Sequence, residues 1–93
     1  MKAVWRGKVL AETGKTVMFE GAVYFPLEAV NEKFLKATSI RSTDPVKGQA
    51  LHYNVVVDGV LFQNAAVYYP RPTASARQIE RHISFASSIE LKN

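Results

Sequence analysis

A chain of 93 residues, 47% of them hydrophobic, has room for one core and not two, and can stand without disulfides or a structural metal. It has no cysteine, which excludes a disulfide framework, a thiolate zinc site and a thiol nucleophile, and makes a reducing cytoplasm the expected compartment. The net charge is +4, but the twelve basic residues are scattered from Lys2 to Lys92 without a run, so no binding to duplex nucleic acid is expected.

In chain order, Lys2 to Trp5, Lys8 to Thr13 and Thr16 to Phe19 are short apolar–polar stretches separated by turns at Arg6-Gly7 and Gly14-Lys15. They predict an antiparallel meander. Val23 to Phe25 is a brief aromatic strand that ends at Pro26. From Pro26 to about Leu35, the spacing of Leu27, Val30 and Phe34 predicts a short middle helix. Ala37 to Gly48 is rich in Thr, Ser, Asp, Pro, Lys and Gly and reads as a polar loop containing an edge strand, a kind of segment that often carries function.

Ala50 to Val57 alternates Leu51, Tyr53, Val55 and Val57 with Ala50, His52 and Asn54, then turns at Asp58-Gly59. Val60 to Phe62 returns as its hairpin partner. Ala65 to Tyr69 is apolar throughout, as in a strand covered on both faces, and stops at Pro70-Arg71-Pro72. Ser75 and Gln78 form a capping-box pattern before Ala76, Ile79, Ile83 and Ala86, which predicts a C-terminal helix. The fold class expected is mainly β (α+β). The opening residues carry early charges rather than a signal-peptide run, and no segment has the length of an apolar span, so neither export by that route nor a membrane partner is expected.

Chemistry-bearing motifs are sparse. His52 and His82 lie thirty residues apart without further ligands, so no metal site and no cofactor are expected. No Gly-x-Ser-x-Gly, phosphate-cradling glycine loop or close acidic pair on one strand occurs. What remains is a set of aromatics, Trp5, Tyr24, Phe25, Tyr53, Tyr68 and Tyr69, with Asn64 and Lys47 near the loops. Aromatics in a small β-domain are usually core, but tyrosine hydroxyls need partners when buried, which makes a pocket worth testing.

Several blocks at compatible spacing resemble the small bacterial family called domain of unknown function 427, whose members are sometimes loosely labelled nucleotidyltransferase-like. They are Trp5-Arg6-Gly7; Glu20-Gly21 with Tyr24-Phe25-Pro26; Thr43 with Pro45, Lys47-Gly48, Ala50 and Tyr53; Val57-Asp58-Gly59; Asn64-Ala65-Ala66; and Tyr68-Tyr69-Pro70 with Pro72. The resemblance runs almost end to end and implies one domain over 1–93, with two small antiparallel sheets in a tent-like arrangement and short helices. The chain departs from the family pattern Thr-x-Cys-Pro-Trp-Lys-Gly, having Asp44-Pro45-Val46-Lys47-Gly48, and has Val67 where the pattern reads Ala-Ala-Trp-Tyr-Tyr-Pro.

Together these readings point to a non-catalytic or vestigial small-molecule-binding domain, with Tyr24, Thr43, Asp44, Lys47, Tyr53, Asn64 and Tyr69 as the ligand-binding set. The ligand expected is a small anionic or aromatic molecule, and the assembly a monomer or homodimer. The alternatives are a nucleotidyltransferase-like enzyme, implied only by the resemblance, and a protein-interaction module using exposed strand edges or the Arg77 and Arg81 helix face.

Overall fold

The computed structural model describes residues 1–93. The first two strands, β1 (Lys2–Trp5) and β2 (Lys8–Glu12), form the first hairpin of the expected meander, but its expected third strand joins the other sheet, and a late strand, β9 (Glu90–Lys92), adds to the other side of β1 instead. The second sheet has six antiparallel strands. In spatial order they are β3 (Val17–Phe19), β4 (Ala22–Pro26), β8 (His82–Phe85), β7 (Val60–Tyr68), β6 (Gly48–Val57) and β5 (Leu35–Asp44). Pro26 closes β4, where its fixed φ and missing N–H end the ladder at little cost.

The two sheets close over a shared core, as in a tent. Ala3, Leu10, Ala11 and Ile89 from the smaller side meet Phe25, Val55, Val57, Ala65, Ala66 and Ile83 from the larger. A second, smaller cluster sits on the opposite face of the large sheet, where Tyr24, Ala50 and Tyr69 are covered by Ala76 and Ile79. Side-chain alternation separates the two clusters: Ala50 and Val55 project from opposite faces of β6, and Tyr24 and Phe25 from opposite faces of β4. The large sheet is thus covered on one face by a sheet and on the other by a short irregular segment.

The mainly β class and the two antiparallel sheets are as expected, while the helical segments are shorter than predicted. Pro26 to Leu35 makes two 3-10 turns, Leu27–Ala29 and Glu32–Phe34. They are separated because Val30 bridges Ala11 and the Asn31 N–H donates to the Leu10 carbonyl at 2.7 Å. The predicted apolar face still packs inward through Leu27, Val30 and Phe34.

The C-terminal helix is confined to a kinked 3-10 segment, Ala74–Ile79, and Ile83 belongs to β8 instead. Arg81, at φ +61°, ends the segment, and pairing with both β4 and β7 gives the following residues ladder bonds that a helix would forgo. Ser75 is not the cap; Thr73 occupies that place. The segment after Ala37, expected as a polar loop containing an edge strand, is an edge strand over nearly all its length, since β5 runs to Asp44. As an edge strand it faces water on both sides over most of its length, so it carries no alternation to read, and its bulge between Ala37 and Arg41 breaks the ladder. Val60 to Phe62 and Ala65 to Tyr68 are one strand, joined through Asn64 at φ +57°.

Ile79 and Ile83 are both wholly buried, but in different clusters. Each truncation to Ala is expected to cost about 2 to 4 kcal/mol, and the double variant about the sum, because the sites share no cavity. Arg81→Ala is expected to cost well under about 1 kcal/mol. Urea denaturation of the four variants checks the ranking and the additivity.

Candidate functional site

The turn between β5 and β6 is built by Asp44. Its Oδ1 accepts the backbone N–H groups of Val46 at 2.8 Å and Lys47 at 2.9 Å, an Asx turn that lets the chain reverse over Pro45. Gly48 completes the reversal at φ +100°, and a Cβ there would lie 3.3 Å from the Arg71 carbonyl oxygen and 3.6 Å from the Pro72 Cα. Glycine is required on both counts. The segment after β7 is bound to this turn: the Thr73 hydroxyl donates to the Val46 carbonyl, and the Thr73 N–H donates to the Lys47 carbonyl at 3.3 Å.

The Lys47 side chain emerges beside the smaller cluster, with 18% of its surface exposed. Its Nζ lies 3.5 Å from Glu20 Oε1, 3.7 Å from Asp44 Oδ2 and 5.8 Å from the ring centroid of Tyr69. Tyr24 and Tyr69 are 2% and 7% exposed, yet neither hydroxyl hydrogen-bonds within the protein and neither is sealed from the surface. Burial pushes both phenols above the ordinary tyrosine value, and the Lys47 ammonium opposes that shift without cancelling it. Burial would lower Lys47, but the neighbouring phenols, Asp44 and Glu20 outweigh it and hold the ammonium above the ordinary lysine value. The Lys47 and Val46 N–H groups, aided by the ammonium, hold Asp44 below the ordinary carboxylate value.

The fold therefore brings together four of the predicted residues, Tyr24, Asp44, Lys47 and Tyr69. Tyr53 packs against the larger core, on the opposite face of β6 from Ala50. Thr43 is exposed on β5 opposite Gln49. Asn64 lies at the bulge of β7, where its N–H donates to Asn54 Oδ1 at 2.8 Å. Glu20 completes the charge cluster although it lies outside the expected ligand-binding set; the Glu20-Gly21 block is the signal that contains it. Among the His, Asp and Glu side chains, no group of three converges in a way that could hold a metal ion, and no helix is long and apolar enough to cross a membrane.

A family model described as domain of unknown function (DUF427) matches residues 1–92. The chain belongs to this family. No curated protein matches it. The two positions at which this DUF427 protein carries valine in place of the pattern's tryptophan lie apart. Val46 is exposed on the turn, and Val67 lines a shallow groove of about 170 Å³ with His52 and Ser84. His52 is positioned there by Ser42, whose Oγ shares a 2.7 Å hydrogen bond with its Nε2.

Gly48→Ala is expected to cost about 2 kcal/mol or more, since it combines an unfavourable φ with a backbone contact, whereas Gly14→Ala, with nothing within 4 Å, is expected to be near neutral. Equilibrium unfolding of the two variants distinguishes these outcomes. For pH, the lowered folded-state value of Asp44 means that its stabilisation is fully present above the ordinary carboxylate range and is lost as pH falls through the lowered value. The stability gap between the native chain and Asp44→Ala should be flat above about pH 5 and shrink as pH falls below the ordinary carboxylate range. On the alkaline side Tyr24, Tyr69 and Lys47 are all raised, so their stabilisation is lost as pH rises past about 10. Urea titrations across both limits measure this.

Proposed function

We propose that this DUF427 domain is a non-catalytic small-molecule-binding module whose ligand meets the patch formed by Tyr24, Tyr69 and Lys47. One observation carries the reading: two tyrosine rings are packed rigidly into the smaller core while their hydroxyls, beside a half-buried ammonium, hydrogen-bond to nothing in the protein. Aromatic faces held in place with a few open polar atoms suit stacking and hydrogen bonding of an aromatic ligand on a shallow surface. Of the anionic and aromatic ligands expected, the charge arrangement favours the uncharged aromatic one, since an anion would have to displace Glu20 or Asp44 from Lys47.

A nucleotidyltransferase-like enzyme would need carboxylates free to share divalent ions. Glu20 and Asp44 do converge, but on the Lys47 ammonium, which supports binding over catalysis.

The test is a thermal-shift screen with a library of uncharged aromatic compounds on the native chain and on the Lys47→Ala, Tyr69→Phe double variant. A ligand at about 100 times its Kd stabilises by about 2.7 kcal/mol, which in a domain of this size raises Tm by roughly 10 °C or more. Hits lost in the double variant support the proposal. An absence of hits, or hits kept unchanged in the double variant, overturns it.

A further inference from the structure

The large sheet is forked at its middle. β4 and β8 pair only through Phe25 with Ile83 and Pro26 with His82. Continuing that antiparallel register would place Val23 opposite Phe85, but those residues do not pair. Instead β4 stays with β3 as far as Ala22, and β8 stays with β7 through Phe85. The Ala86 N–H still donates to the Ala65 carbonyl at 2.8 Å. Each strand holds its outer neighbour and parts from the inner one, so the ladder ends with room between its arms.

That room is a cleft of about 440 Å³, the size of a small-molecule site. Val23, Phe85 and Ile89 give it apolar walls, and Gly21, Ser84 and Glu90 also line it. Ser84 is the one polar residue among those buried in the domain, at 7% exposure. Its hydroxyl has no hydrogen bond within the protein and is not sealed. Val23 and Phe85 each keep a strand partner on one side only, and a buried hydroxyl or a sheet-interior backbone group left open is costly; Ser84 and both of these positions line this cleft. Glu90 is the only ionisable side chain in the lining, so an anion finds no countercharge.

We propose that the fork between β4 and β8 is a second binding site, for a small uncharged molecule that joins an apolar body to a carboxamide. The body packs against Phe85 and Ile89, and the carboxamide, with a donor and an acceptor on one rigid plane, bonds the Ser84 hydroxyl and the open backbone groups at the fork. The site does not depend on the Lys47 patch, although the Glu20-Gly21 turn carries one residue of each.

Benzamide and benzoate are the probes, followed by amide chemical-shift titration of the full chain. Benzamide is expected to saturate with shifts confined to residues 21–23 and 84–90, and benzoate to bind at least about tenfold more weakly, since it adds a charge and removes the donor. Ser84→Ala should weaken benzamide at least about fivefold with Tm almost unchanged, and Ala86→Phe, at the mouth of the cleft, should block it. Lys47→Ala should leave it unchanged, which separates this outcome from failure of the Tyr24–Tyr69 patch. No saturation below about 10 mM benzamide, shifts centred on Lys47 and Tyr69, or full affinity in both Ser84→Ala and Ala86→Phe each overturns the proposal. So does saturable binding only of acetyl-trivaline amide, which would mark the fork as a slot for an added strand.

Discussion

The backbone around Lys47 is held from two directions, and the smaller half of the molecule depends on that grip. From one side the Asp44 carboxylate accepts the N–H groups of Val46 and Lys47; from the other, Thr73 bonds the carbonyls of the same two residues. The chain that leaves β7 is thereby fixed beside the turn that leads into β6, across 27 residues of sequence. That attachment lays Ala76 and Ile79 over Tyr24, Ala50 and Tyr69. Without it the second face of the large sheet would lose its cover, and the tyrosine rings would lose the packing that holds them beside Lys47. Gly48 is the steric condition for the arrangement, because any side chain there would push Arg71 and Pro72 away.

The same turn carries a departure from the family pattern. Where the family pattern has a thiol, this chain has a carboxylate that serves the backbone through one oxygen and the Lys47 ammonium through the other. One substituted side chain therefore acts as a turn builder and a charge partner at once. Glu20 supplies a second anion from the β3–β4 turn, so the lysine holds two strand connections together. The exposure of both carboxylates keeps each ion pair individually weak, and the cluster gains its order from the buried rings beside it rather than from charge alone.

A sheet covered unequally on its two faces also explains where the openings lie. The larger core is continuous between the sheets, whereas the 3-10 segment Ala74–Ile79 is too short to cover the whole opposite face. It leaves His52, Val67 and Ser84 under a shallow groove. The β4–β8 fork adjoins that uncovered region through Ser84, which lines both openings. Strands released from one neighbour bend towards the other cover available to them, and β4 and β8 each keep the neighbour with which they pair over the longer run.

The β-rich class, the hairpin turns at Arg6-Gly7 and Asp58-Gly59, the β6 alternation and the family blocks were all set by local chemistry, because positive-φ turns and two-residue periodicity are written within a few adjacent residues. Tyr24, Asp44, Lys47 and Tyr69 were also legible as a candidate group, through the blocks that contain them. Tertiary structure decided what local signals leave open. The four-residue step from Ile79 to Ile83 fits one helix face, and only the ladder partners on both sides place Ile83 in a strand, although the alternation of His82, Ile83, Ser84 and Phe85 was a period-two signal. β5 is invisible to periodicity because an edge exposed on both faces has no buried side to mark. Which face of β6 receives Tyr53, the pairing of Glu20 with Lys47 and the fork at Ser84 all depend on contacts between residues far apart in sequence. Such contacts exist only once the sheets have closed, so no single stretch of the chain can encode them.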